Sequence, residues 1–305
     1  MKFLQILLLG ISFCGGNALA EPIKKVYLPM EVKYELLTTE VPKEIEGKVW
    51  NRWTSENFTV LSLNDTQAQY LHKHLELVKT WIYGRWGFSD LSMVGECKII
   101  CVDDPVLFNK MFRLTNTKVE IRLGEEGKIK ECIIFVLIND APSHTIPMPL
   151  TEVCMSQFAE RYNVKVGWWT FRGMSLLNGT LDQIKSSLSD LAPVVQSNQP
   201  TYFSKGLFDM TKDQYLAMDA ERRRLYDHSA MVFCLLLRKE FGQDKFHNFL
   251  KESSDLGPSE SLKKVLGFES QEEFDRTFKR YMLDITRDIK AGRTPNSYLQ
   301  IREKR

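Results

Sequence analysis

Side chains able to do acid–base or metal chemistry are sparse in this chain, and most stand at spacings that argue against a shared site. Its five histidines are His72, His74, His144, His228 and His247. His72 and His74 are two apart on a predicted helix, so their side chains diverge and cannot share a metal. A metal site built from His144, on a proline-rich loop, and His228 ranks below the reading of both as surface or satisfied core residues. Cys97-x-x-x-Cys101 lacks the second Cys or His pair that zinc needs. Ser261-Leu262-Lys263-Lys264 has serine–lysine nucleophile spacing, but so short a pattern arises readily by chance. Arg222-Arg223-Arg224 reads as a solvated helix face rather than an anion site. The sequence contains no glycine-rich phosphate or dinucleotide loop.

Three stretches carry more when taken together: Thr151-Glu152-Val153-Cys154-Met155, Trp169-Thr170-Phe171-Arg172-Gly173 and Leu225-Tyr226-Asp227-His228-Ser229. In order and spacing they resemble the gluzincin metallopeptidases, specifically the peptidase-MA-like secreted group. The resemblance runs over residues 53–281 and takes in Asn57-Phe58, the strand and Asp-rich turn at 99–108, and Phe241-Gly242 with Phe246. That family carries His-Glu-x-x-His on one helix, Trp-x-x-Glu-Gly on the next and Tyr-x-x-Ser opening a later one. Two histidines at i and i+4 bind zinc from one helical face, the intervening glutamate activates a zinc-bound water, and the distal glutamate completes the ligand set.

By this resemblance Thr151 and Met155 stand at the histidine positions and Arg172 at the distal glutamate; only the general base, Glu152, remains. Hydroxyl and thioether are poor zinc ligands beside imidazole, and a guanidinium never deprotonates. The resemblance thus implies a zincin-like fold with no zinc and no other cofactor. Glu152 becomes a vestigial general base. Tyr226 becomes a vestigial oxyanion donor or, more simply, a hydrogen-bonded core residue, opening a helix that runs to about Lys239. Trp168 and Trp169 read as packing residues, as the matching Trp does in the family. A Glu152–Arg172 ion pair, in its fullest form bidentate, is expected in place of the metal, with Thr151 and Met155 around it. The expected function is that of a non-catalytic pseudo-metallopeptidase whose cleft binds an extended peptide or a protein. The alternatives are an active metallopeptidase with an unrecognised site and a purely structural or interaction protein.

Composition bounds these readings. The 305 residues are 43% hydrophobic, 26% charged and 11% aromatic, values of an ordinary folded protein rather than a disordered or fibrous one. A net charge of +2 argues against a nucleic-acid binder. Residues 1–20 have the layout of a secretory signal: Lys2, an apolar run from Phe3 to Cys14, then Ala18-Leu19-Ala20. The lipoprotein alternative at Cys14 is disfavoured by bulky Phe13. An exported protein, periplasmic or extracellular and without a membrane span after signal removal, is expected. The remaining Cys97, Cys101, Cys132, Cys154 and Cys234 are odd in number and read mostly as small core residues. Asn57, Asn64 and Asn178 open glycosylation sequons that matter only in a eukaryotic secretory pathway.

The elements that must position the motif follow from periodicity. Residues 58–63, 97–102, 118–123 and 132–138 read as strands, the last buried on both faces. Asn64-Asp65-Thr66 offers a cap for a helix ended by Gly84 and Gly87, and Asp103-Asp104-Pro105 opens a short one. Residues 149–162 are helical, and helices dominate from about 168. The predicted class is α+β: signal 1–20, extension 21–50, a sheet-containing lobe with the motif helix at 51–165, a helical lobe at 166–290 and a tail at 291–305.

Overall fold

Alternating and β-branched segments early in the chain pair into a mixed sheet, and the later amphipathic segments pack against it as helices. The computed structural model describes residues 44–45, 48–88, 91–93, 95–114, 116–124, 128–138, 145–196 and 204–291. The signal segment, most of the 21–50 extension, His144 and nearly all of the 291–305 tail lie outside the described residues. β1 (Glu44–Ile45) and β2 (Lys48–Val49) form a small antiparallel pair. β3 (Asn51–Thr54), β4 (Phe58–Ser62), β5 (Glu96–Val102), β6 (Lys118–Leu123) and β7 (Ile129–Leu137) form the main sheet, in the order β3-β4-β5-β7-β6. β4, β5 and β7 are parallel, while β3 and β6 add antiparallel edges. The apolar run of β7 lies inside this sheet and is covered twice. Cys132, Ile134 and Val136 enter one core, and Ile133, Phe135 and Leu137 enter the other.

Capping chemistry sets the first helices where the sequence predicts them. The Asn64 side chain accepts from the Gln67 N–H to start α1 (Asp65–Trp86), and Gly87 ends it in the left-handed region. Gly84 stays within the helix. Asp104 caps α2 (Pro105–Phe112), whose Pro105 occupies a position needing no N–H. Leu107, Phe108 and Phe112 of α2 join Trp50 over one face of the sheet. The other face is covered by α1 and by α3 (Pro147–Tyr162), whose core continues without a break into the later helices. These are α4 (Trp168–Leu177), α5 (Leu181–Gln196), α6 (Ser204–Phe208), α7 (Lys212–Ala217) and α8 (Ala220–Leu236). A π turn (Leu237–Phe241), α9 (Gly242–Asp255), α10 (Pro258–Leu266) and α11 (Gln271–Lys290) complete them. The architecture is α+β. None of the described helices is long and apolar enough to cross a membrane. Cys97, Cys101, Cys132, Cys154 and Cys234 are all buried free thiols, and burial pushes Cys132 up to about 11.

α4 and α8 approach closely because Gly173 has no side chain. A Cβ there would stand 2.3 Å from the Ala230 carbonyl oxygen and 2.6 Å from the Cys234 sulfur. Gly84 is the opposite case, exposed inside α1 with nothing within 4 Å of an added Cβ. Gly173→Ala is expected to lose ~1–3 kcal/mol of stability through overpacking. Gly84→Ala should gain about 0.5–1 kcal/mol by restricting the unfolded chain. Urea unfolding of the two variants checks both signs.

Candidate functional site

Helix geometry separates the motif residues of α3. Thr151 and Met155, four apart, are both fully buried in the core, whereas Glu152 lies about 100° further round the helix. Its side chain reaches the core's edge, 23% exposed, where Arg172 of α4 meets it: Arg172 Nη1 donates to Glu152 Oε1 at 3.3 Å. The fuller contact of Arg172 is with Asp227 of α8. Nε donates to Oδ1 at 2.9 Å and Nη2 to Oδ2 at 2.8 Å, the two-pronged match of guanidinium to carboxylate. Tyr215 of α7 completes the group. Its hydroxyl donates to Asp227 Oδ2 at 2.9 Å, and the Arg172 guanidinium carbon lies 5.3 Å from its ring centroid. Lys212, exposed on the same helix, adds positive charge toward Glu152 and places its ammonium 5.4 Å from the Trp168 ring.

The electrostatics follow from burial against pairing. Desolvation raises the Glu152 pKa, and the charges of Arg172 and Lys212 offset only part of that rise. Desolvation opposes the charge on Arg172, but hydrogen bonds and attraction from Asp227 outweigh it and hold the guanidinium firmly charged. Burial pushes the Tyr215 phenol up to about 12, so it stays a donor. The cluster can hold charge and bind polar groups; it has no nucleophile activated by a neighbouring base.

Three expectations need correction. The Glu152–Arg172 pair exists but is single; the bidentate partner is Asp227, because the close α4–α8 crossing brings that carboxylate nearer. Thr151 and Met155 do not line the ion pair. Thr151 instead donates its hydroxyl to the Pro147 carbonyl at 2.7 Å and accepts from Asn178 Nδ2 at 2.7 Å, while Trp86 Nε1 donates to Asn178 Oδ1 at 3.2 Å. Tyr226 does not open its helix: Asp219, whose side chain accepts from the Arg222 N–H, starts α8 earlier, and the helix ends at Leu236 in the π turn. Tyr226 is fully buried and donates to the Leu207 carbonyl at 3.2 Å, so its hydroxyl is engaged within the core.

The other candidates disperse. His72 meets the Thr54 carbonyl and His74 the Tyr70 carbonyl. Ser261 is buried and donates to the Gly257 carbonyl, while Lys264 pairs with Glu252. Arg222 and Arg224 make exposed ion pairs with Asp219 and Asp190. Trp169 packs edge-on against Phe233. Among the described residues no group of three or more His, Cys, Asp or Glu is arranged to hold a metal ion. Sequence reasoning missed Asp227, Tyr215 and Lys212. The readable signal for α7 was Thr211-x-x-Gln214, which forms a capping box. The chain matches no known family model, no curated protein and no solved structure.

A buried histidine, His228, and a half-buried one, His247, are expected to give the fold a pH dependence. Burial lowers the pKa of His228, on α8 beside Asp227, and of His247, whose Nε2 lies 2.5 Å from the Trp86 carbonyl and whose ring stacks on Phe88. A base with a depressed pKa favours folding fully above its unfolded value of 6.5, and that stability drains away as pH falls below it. The urea midpoint should therefore drop between about pH 7.5 and about pH 5, and glutamine at both positions should flatten that drop.

Proposed function

We propose that this protein is an exported, non-catalytic relative of the gluzincin metallopeptidases of the peptidase-MA-like secreted group. In this reading an arginine-centred cluster does the structural work that zinc does in the family. The observation that carries it is the placement of Arg172. At the position the resemblance gives to a metal-binding glutamate, a guanidinium holds Glu152 at 3.3 Å and Asp227 at 2.8 Å. The remaining residues fit a zinc ion poorly. The Thr151 hydroxyl is committed to Pro147 and Asn178, and the Met155 thioether is buried and a weak ligand. Without a metal-bound water Glu152 serves as a charge partner.

The zincin-like assignment is supported by the order of elements: a mixed sheet with antiparallel edge strands, then α3 with the Glu152 motif, then α4 with Trp169-x-x-Arg172-Gly173, then the helical half. The face of α3 and α4 bearing Glu152, Arg172 and Trp168 then serves recognition, with an extended peptide or a protein segment as the partner. Metal analysis of the purified full chain after dialysis against zinc tests the reading. Zinc far below one ion per chain, with no change in thermal midpoint on adding a chelator, is expected. One tightly held zinc per chain would overturn it.

A further inference from the structure

Residues 204–218 run across α4 and α8 in two short helices, α6 and α7, of five and six residues. Helices of that length have little stability of their own and depend on what they dock against. Their outward side is open: Asp209, Lys212, Asp213, Gln214, Leu216 and Ala217 are exposed. Their inward side is apolar, with Met210 also packed against the core. Leu207 is fully buried, Phe208 packs edge-on against Trp169 and Phe233, and Tyr215 is 7% exposed. The segment's polar ties include Tyr226 to the Leu207 carbonyl and Tyr215 to Asp227. α7 caps its own start. Thr211 and Gln214 satisfy each other's backbone N–H groups at 2.9 and 3.2 Å, so the helix can lift without unravelling at its start.

Beneath this segment lies an unmet donor. Trp168 Nε1 is buried with no hydrogen-bond partner, and the Trp168 ring stands 5.7 Å from Tyr215. A buried N–H left unpaired is costly, and any motion that brings it an acceptor relieves that cost. Arg172 would keep both bonds to Asp227 while losing only the Tyr215 ring from its face. The charge cluster can thus survive opening.

We infer that residues 204–218 are an autoinhibitory strap that opens as a unit, and that Tyr215 is an internal stand-in for the tyrosine side chain of a peptide ligand. The chemistry of that seat is specific. A guanidinium face receives an aromatic ring, a carboxylate receives its hydroxyl, and the Trp168 N–H awaits a carbonyl from the same chain. This inference rests on the reading of the α3–α4 face as a recognition surface, but its test is independent of zinc. A zinc-binding result would remove the proposed ancestry and leave the exchange pattern below unaltered.

The test is native-state hydrogen exchange of the full chain, with residue-resolved radical footprinting of Trp168. In the wild type, amides of 204–218 should exchange well ahead of those in 220–236. Tyr215→Ala should speed exchange in 204–218 by about tenfold or more and raise Trp168 labelling, with 220–236 unchanged. Tyr215→Phe, which keeps the ring and loses the Asp227 bond, should give a smaller acceleration. Adding p-cresol, the tyrosine side chain as a free molecule, should reverse both effects in Tyr215→Ala. Equal exchange of 204–218 and 220–236 in the wild type would overturn the strap. Lack of any p-cresol effect on a folded Tyr215→Ala would overturn the tyrosine seat.

Discussion

A guanidinium removed from most of its water must be surrounded by groups that replace that water, and Arg172 draws such groups from three other helices. Glu152 comes from α3, Asp227 from α8 and Tyr215 from α7. The fork geometry of arginine ranks them. Two parallel bonds go to Asp227, one longer bond goes to Glu152, and an aromatic face covers what is left. Two carboxylates around one cation leave an excess negative charge, which Lys212 lies near enough to moderate. The neighbouring Gly173 serves the same contact by another means. Its missing side chain lets α8 come close enough for Asp227 to meet both prongs.

On the buried side of α3 the ties are neutral. Thr151, Asn178 and Trp86 form a chain of hydrogen bonds linking α3, the C-terminal end of α4 and the end of α1. α4 is therefore held at Arg172 by charge and at its C-cap by amide and hydroxyl groups. Placing charge at the edge of the core and neutral hydrogen bonds inside it follows the cost of burial: an amide fully paired in the interior is tolerable, while an ion pair there would carry a larger desolvation penalty.

Much of the framework was legible locally. Asn64 and Asp104 cap the helices they precede, and the unbroken apolar run of β7 marks a strand covered on both faces. The Glu152–Arg172 pair was legible because opposite charges stand at positions the family resemblance brings together. The preference for Asp227 was not, since it depends on the α4–α8 distance set by Gly173 against Ala230, far along the chain. The start of α8 was misplaced because the tyrosine motif outweighed the cap at Asp219. Tyr215 was invisible for a simpler reason: a helix of six residues has too few positions to show a period, and only its capping box marks it.

Arg172 and Asp227 act as one unit tying α4 to α8. A double-mutant cycle measures that coupling directly, with Arg172→Met retaining the apolar stem and Asp227→Asn retaining the shape, each followed by urea unfolding. A coupling energy of about 1 kcal/mol or more is expected, the double change costing less than the two single changes summed. Additivity of the two changes to within about 0.3–0.5 kcal/mol would show that the two side chains are neighbours without being partners.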